Sequence, residues 1–422
     1  MTNIKNLHLS LEHNLLKEKL INTPNSLIIQ DLDGVCMGLV KDPLNRIIKW
    51  DYVQSAKKMK DHFFVLTNGE HIGKRGVNNI IEKSASSAQE VKETGYYLPG
   101  LAGGGVQWQD CFGNVEHPGI SDKELNFLAS VPHIVREKLT DFCIKECNFL
   151  SPKGINNIID AVILDNFVSP TVNINTFYEK LTDHNSIYIN LQNEVKLLMD
   201  ELLSQAEKEG LKDSFFVHYA PNLGRDDNGL EILRPATETD SGTTDFQFMV
   251  TGGIKEAGVL FLLNYYYYLH TGEYPLGEDF NVRKAPHTQE ELLSLVVNNF
   301  DPEKMPFIVG VGDTVNSTVM EQNGKTIVRR GGSDRNFLQL IQNIGDKFNI
   351  DNAVVYIDSS GGEIKNRKPI KLGKDGEKTI VLEGPGDTLD KEEPLKLNMV
   401  FPQGHQQYCK FFCEVANSRK TD

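Results

Sequence analysis

Residues 27–35 read Leu-Ile-Ile-Gln-Asp-Leu-Asp-Gly-Val, a short apolar strand that runs into two aspartates one residue apart and then a glycine. In a strand, residues i and i+2 share a face, so Asp31 and Asp33 can converge just past the last rung, the end at which open α/β sheets place their ligands. Two carboxylates this close do not both ionise cheaply unless a cation lies between them or one keeps its proton. Magnesium is hard, takes oxygen ligands and binds through one or two carboxylates plus substrate phosphate, so it suits the pair. With it in place Asp31 can attack phosphorus, while Asp33 protonates the leaving oxygen and later deprotonates the attacking water. The same residues also make an ordinary capped strand-to-helix turn, so the other motifs must decide.

At 422 residues the chain exceeds one typical core, which predicts two domains or one domain with a large insertion. Asp plus Glu total 58 against 44 Lys plus Arg, a net charge of -14. Such a surface repels nucleic acid and anionic membranes and excludes both as partners, so an anionic substrate must be met by local cations. The N-terminus shows no signal-peptide pattern, and no apolar run reaches the length of a spanning helix, which predicts a cytoplasmic protein. Of six cysteines, the pairs 143/147 and 409/413 stand at i, i+4, without the spacing of a zinc site; reduced thiols are expected.

The apolar run His62–Leu66 ends in Thr67-Asn68-Gly69, one βαβ unit after Asp31, so Thr67 and Asp31 share one edge of a parallel sheet. Thr67 and Asn68 offer phosphate donors there. The Gly103-Gly104-Gly105 run lacks a dinucleotide-loop pattern and points instead to backbone crowding. A polar, mostly helical stretch with strand-like pieces at 161–164 and 215–219 reads as an inserted domain, and α/β alternation is expected to resume at Phe246. The predicted organisation is a doubly wound, mainly parallel α/β core over 1–118 and 246–422, with an α+β insert over 119–245. Residues 365–393 read as a surface hairpin with a mobile loop.

Gly252-Gly253-Ile254-Lys255 puts a lysine in the first turn of a helix, where the helix dipole disfavours it unless an anion is near. Strand 307–312 ends in Asp313, and its glycines let that acid approach a metal held by the first pair; a strand-end aspartate is also a common N-cap. His71, Lys74 and Arg75 follow Thr67 and could bind phosphate or a substrate hydroxyl, and His218 and Arg225 of the insert could reach the substrate. A solvated helix face and an ordinary surface turn are the plainer readings of these five.

Asp31-Leu32-Asp33-Gly34-Val35, Thr67-Asn68, Lys255 and Gly312-Asp313 together resemble the haloacid dehalogenase superfamily, and the long insert resembles its capped members that act on sugar phosphates. Longer blocks, among them residues 30–37, 66–71, 214–226 and 240–248, resemble the glucosylglycerol-phosphate phosphatases. The resemblance implies Asp31 as nucleophile, Asp33 as acid/base, Thr67 and Lys255 as phosphate binders, and a magnesium ion on Asp31, the Asp33 carbonyl and Asp313. It also implies a small sugar phosphate as substrate and a neutral osmolyte as product; contact with the upstream synthase is a partnership that the sequence leaves open. One position departs from the superfamily: the second acid expected four residues after Asp313 is Ser317, leaving Ser317, water, Glu321 or Asp334 to complete the metal shell. A glycosyltransferase, a phosphomutase on the same core and a non-catalytic relative are the rival readings.

Overall fold

The computed structural model describes residues 3–41, 43–164, 166–220, 222–225, 231–322, 324–364 and 367–419. The chain divides into two compact units, one built from residues 1–71, 77–119 and 252–422, the other from 72–76 and 120–251.

The first unit is organised by an eight-stranded sheet. Its strands are β1 (Ser26–Gln30), β2 (Phe63–Leu66), β3 (Gly100–Ala102), β4 (Gln107–Gln109), β5 (Val115–Glu116), β6 (Phe307–Gly312), β7 (Ala353–Ile357) and β8 (Met399–Phe401). Their order is β8-β7-β6-β1-β2-β3-β4-β5, parallel from β8 to β3 and antiparallel from β3 to β5. The chain winds outward from β1 through β2 and β3, leaves for the second unit, and returns on the other side of β1 at β6. The reversal between β1 and β6 opens a crevice at the C-terminal strand ends, where Asp31 and Asp313 follow directly.

Both faces of this sheet are covered, as the unbroken apolar runs of β1, β2 and β6 require. Ile28, Phe63, Val65, Val309 and Val355 join Tyr52, Tyr408 and Phe412 in one core cluster beneath helices Trp50–Lys58 and His405–Ser418. On the other face Gly258 of helix Lys255–Thr271 lies so close to Leu66 that a Cβ there would sit 2.6 Å from it, and Gly310 makes the same room for Ile341 and Leu338 of helix Arg335–Phe348. The triple glycine is indeed a place of crowded backbone: a Cβ on Gly104 would lie 2.9 Å from the Gly253 carbonyl.

The second unit carries a four-stranded antiparallel sheet, ordered Ile163–Leu164, Thr171–Asn173, Asp245–Val250, Phe215–Ala220, packed with helices Asp122–Glu146 and Asn185–Lys208. Ser121 and Glu124 form a capping box at the first of these helices. Phe127 stacks on Phe215 in the unit's core, and Phe248 packs against both with a tilted ring. Asp245–Val250 pairs with Phe215–Ala220 over its whole length, so the chain re-enters the first unit at Gly252 and not at Phe246; the apolar alternation there belongs to the insert's own sheet.

Two hairpins extend the first unit. Lys371–Asp375 with Lys378–Glu383 fits the predicted surface hairpin, but the stretch after it is tied down: Asp387 accepts from Val319 N–H and donates its own N–H to Ser317 Oγ, and the buried Asp390 takes a bidentate pair from Arg330. The partners lie on Asn316–Gln322 and Lys325–Gly331, a hairpin the sequence reading did not foresee. Phe412 is 1% exposed and packs against Tyr52 and Phe63 with tilted rings. Phe412→Ala should therefore cost about 3–5 kcal/mol of stability, measured by urea unfolding.

Candidate active site

Asp31 follows β1, its N–H held by the Val311 carbonyl of β6 at 3.0 Å. Its Oδ1 accepts from Leu32 N–H at 2.8 Å, and its Oδ2 faces Lys255 Nζ at 2.9 Å. Lys255 is the first residue of its helix and is 4% exposed. An unfavourable helix-start lysine is thus explained by two anions, for Nζ also lies 2.7 Å from Asp334 Oδ1. Asp334 occupies the N-cap position of helix Arg335–Phe348, where its carbonyl accepts from Leu338 N–H but its side chain makes no capping bond. Its Oδ2 instead accepts the N–H groups of Asp313 and Thr314 at 2.9 and 3.0 Å, fixing the turn after β6.

Asp313 completes the group. Oxygens of Asp31, Asp313 and Asp334 lie within 4.8 Å of one another, all three residues buried. Asp313 Oδ1 accepts from Thr314 Oγ1, whereas its buried Oδ2 has no hydrogen-bond partner among the described residues, with Arg367 Nε 3.9 Å away. Gly34, at φ +80°, leaves the adjacent space open: a Cβ would lie 2.2 Å from that oxygen. An all-oxygen donor set with one unsatisfied buried carboxylate oxygen fits a hard divalent cation.

The electrostatics agree. Burial, helped by Asp334 and Asp313 and opposed by Lys255, raises the Asp31 carboxyl to about 8. Burial and Asp334 raise that of Asp313 to about 7. Burial also works against the charge of Asp334, but Lys255 and the two backbone N–H groups outweigh it and hold this carboxyl below its ordinary value. Burial opposes the Lys255 charge too, yet Asp31 and Asp334 raise its pKa above the ordinary ammonium value.

Asp33 stands apart from this cluster, its Oδ2 2.9 Å from Arg46 Nη1. Thr67, at the end of β2, is buried, and its Oγ1 accepts from Gly69 N–H; Asn68 is exposed. The glycine run holds this turn, Gly103 N–H donating to the Gly69 carbonyl and Gly104 N–H to that of Thr67. A Cβ added at Gly69 would lie 3.7 Å from Thr67 Oγ1, 3.9 Å from Arg46 Nη1 and 4.0 Å from Asp33 Oδ2, so three polar groups surround one point.

Of the other predicted residues, His71 lies in the first unit and Lys74, Arg75, His218 and Arg225 in the second. His71 is fully enclosed: its N–H donates to Gln107 Oε1, its Nε2 meets the Gly100 carbonyl, and burial pushes its pKa down to about 4. The enclosed ring props β3 and β4. Lys74 and Arg75 belong to the second unit, Lys74 exposed and Arg75 donating to the Ala161 carbonyl. His218 is paired within its own sheet region, 2.9 Å from the Glu231 carboxylate. Arg225 ends the strand Asn222–Arg225, and its side chain lies outside the described residues.

Of the four groups considered for the position left by Ser317, Asp334 is the one beside Asp31 and Asp313. Ser317 Oγ is taken by Asp387 N–H, and Glu321 by Thr326 on the exposed hairpin. Arg46 was missed altogether. Its segment, Lys41-Asp42-Pro43-Leu44-Asn45-Arg46, reads as a plain turn.

The glucosylglycerol-phosphate phosphatase family matches this chain over residues 25–416. The chain belongs to that family. It is 54% identical over 411 residues to the glucosylglycerol-phosphate phosphatase of Synechocystis sp. (strain ATCC 27184 / PCC 6803 / Kazusa), covering 97% of each chain. Among solved structures it is similar to the C-terminal domain of C. albicans trehalose-6-phosphate phosphatase, with TM-score 0.45 and 12% identity over 98% of this chain and 99% of that one. A putative HAD/COF-like hydrolase from Plasmodium vivax gives TM-score 0.36 and 12% identity over 95% and 99%. For this glucosylglycerol-phosphate phosphatase family member, the buried Lys255 is the group whose loss the acids feel most. Lys255→Met leaves the buried Asp334 without its cation, which favours the protonated carboxyl, and taking up that proton costs little near pH 5 and much at pH 8. The expected loss is about 3–5 kcal/mol at pH 8 and clearly less at pH 5, read from thermal melts at the two pH values.

Proposed function

We propose that this chain hydrolyses 2-O-(α-D-glucosyl)-glycerol 3-phosphate to glucosylglycerol and phosphate through an aspartyl phosphate on Asp31. The observation that carries the reading is a carboxylate at the sheet's switch point whose one outer oxygen is fixed by Lys255, beside two further buried acids. Family membership, with a relative of that name at 54% identity, supports the substrate.

Asp31, Asp313 and Asp334 would hold Mg2+, which when bound supplies positive charge against the substrate phosphate and the ionised acids. Lys255 holds Asp31 in place for attack and adds its own charge to that end of the site. Asp31 Oδ attacks phosphorus, the bond from phosphorus to the glycerol oxygen breaks, and Asp33 gives that oxygen a proton. Asp33 then takes a proton from water as it attacks the aspartyl phosphate, which returns Asp31 and frees phosphate. Thr67 and Asn68 supply donors to the phosphate oxygens from the end of β2.

The insert, 120–251, takes the role of a cap that reads the sugar hydroxyls. Among the described residues no helix is long and apolar enough to cross a membrane, and all six cysteines are free thiols. A cytoplasmic reaction, with an uncharged product suited to osmotic balance under salt stress, is part of the same proposal. Contact with an upstream synthase is not part of it.

The test is phosphate release from glucosylglycerol phosphate beside sucrose, trehalose and mannosylglycerate phosphates, with and without magnesium. Metal-dependent release from the first alone is expected; release from none, or from all alike, removes the named substrate. Asp31→Asn should abolish turnover while the protein stays folded, and retained activity would sink its assignment as nucleophile. Cation binding needs Asp31 and Asp313 ionised, and their pKa values near 8 and 7 mean that protons must leave first. Magnesium should therefore raise the melting temperature more at pH 8.5 than at pH 6, with a chelator reversing the shift.

A further inference from the structure

Asp31 and Asp33 are two residues apart, yet only Asp31 joins the cluster of buried acids. What draws Asp33 away is Arg46, whose Nη1 lies 2.9 Å from Asp33 Oδ2. The guanidinium is itself anchored. Its Nε donates to the Pro43 carbonyl at 3.1 Å, and the side chain is 9% exposed, whereas that of Asp33 is 34% exposed. A planar, pre-organised fork held at one nitrogen fixes the direction of whatever its other nitrogens bind. Lys255 cannot serve Asp33 in the same way, being shared between Asp31 and Asp334.

The location matters as much as the contact. Arg46 Nη1, Asp33 Oδ2 and Thr67 Oγ1 all approach the point where a Gly69 Cβ would be, so Arg46 places the carboxylate beside the Thr67-Asn68-Gly69 turn that the proposed function gives to phosphate. We propose that Arg46 is the positioning residue for Asp33: it holds that carboxyl out of the acid cluster and aims it at the oxygen leaving phosphorus. The inference rests on the phosphatase reading above. Arg46 takes no part in bond making; as the Asp31 to phosphorus bond forms and the phosphorus to leaving-oxygen bond breaks, the proton passes from Asp33 to that oxygen, and Arg46 fixes where Asp33 is when it does.

A group that acts through the proton donor is felt only by substrates whose leaving group needs a proton. The experiment compares kcat/KM for glucosylglycerol phosphate, an alkyl ester, with that for p-nitrophenyl phosphate, whose phenolate leaves unprotonated, in the wild type, Arg46→Met, Arg46→Lys, Asp33→Asn and the Asp33→Asn/Arg46→Met double variant. Because kcat/KM covers the steps up to leaving-group release, the ratio of the two esters reports the proton transfer and cancels losses of folding or phosphate affinity. Arg46→Met should lower kcat/KM for the alkyl ester by about 100-fold and that for the aryl ester by less than about threefold, within the range that positioned acids contribute. Arg46→Lys should recover part of the alkyl loss, and the double variant should be no slower on the alkyl ester than Asp33→Asn alone.

Equal losses on both esters would overturn the proposal and make Arg46 a phosphate-binding or structural cation. So would multiplying losses in the double variant, or no loss in any Arg46 variant. If the wild type cleaves p-nitrophenyl phosphate and glycerol phosphate but not glucosylglycerol phosphate, the substrate reading fails by itself; glycerol phosphate then serves as the alkyl ester and the Arg46 comparison stands.

Discussion

The ion triad of Lys255 with Asp31 and Asp334 is the contact on which the site depends. It ties three separate parts of the chain together: the end of β1, the start of the helix that opens after the insert, and the start of the helix that follows β6. Burying a charge without partners is prohibitive, and burying a lysine between two carboxylates is tolerable only if each remaining oxygen finds a donor. Leu32 N–H serves Asp31, and the N–H groups of Asp313 and Thr314 serve Asp334. Once Asp31 is ionised the triad carries a net negative charge, and the adjoining Asp313 has an oxygen with no hydrogen-bond partner among the described residues. That imbalance is what makes the place receptive to a divalent cation.

The chain solves the repulsion within Asp-x-Asp by dividing its cations. The ammonium of Lys255 is given to the nucleophile side and the guanidinium of Arg46 to the other acid, so the two carboxyls experience different surroundings although one residue separates them. Small residues make this arrangement possible. Gly34 makes way for Asp313 Oδ2, and Gly312 for the Asp334 side chain. The glycines at 103–105 let a turn lie against Gly253 and hold Thr67 and Gly69 by backbone bonds.

Much of this was legible in the sequence because strand ends announce themselves. An apolar run that stops at an aspartate or at Thr-Asn-Gly gives both the strand and the residue at its tip, and spacing then gives the βαβ connection. The helix-start lysine was legible as an anomaly that required an anion. Residues that act through tertiary placement were not. His71 looks like any cation near a phosphate loop, and its sequence context does not show that the ring is enclosed. Asp334, preceded by Gly332 and Ser333 and followed by an amphipathic helix, has the sequence context of a plain N-cap, so its service to Lys255 and the β6 turn could be named only as one option among several. Arg46 lies in a turn with no periodicity to mark it. The strand Asp245–Val250 alternates properly for an α/β core yet pairs inside the insert, because a two-residue period tells that a strand exists and not which sheet takes it.

The bonds from Asp313 and Thr314 N–H to Asp334 close a long excursion that contains the whole Asn316–Gly331 hairpin. Both ends of the detour are clamped at its base, so whatever grows or shrinks beyond Thr314 leaves the acids where they are. The hairpin therefore stands on a locked stem. From that stem the hairpin reaches across to a third part of the chain, since Ser317 and Arg330 hold Asp387 and the buried Asp390; its removal would spare the turn beneath the acids and strand a buried carboxylate beyond them.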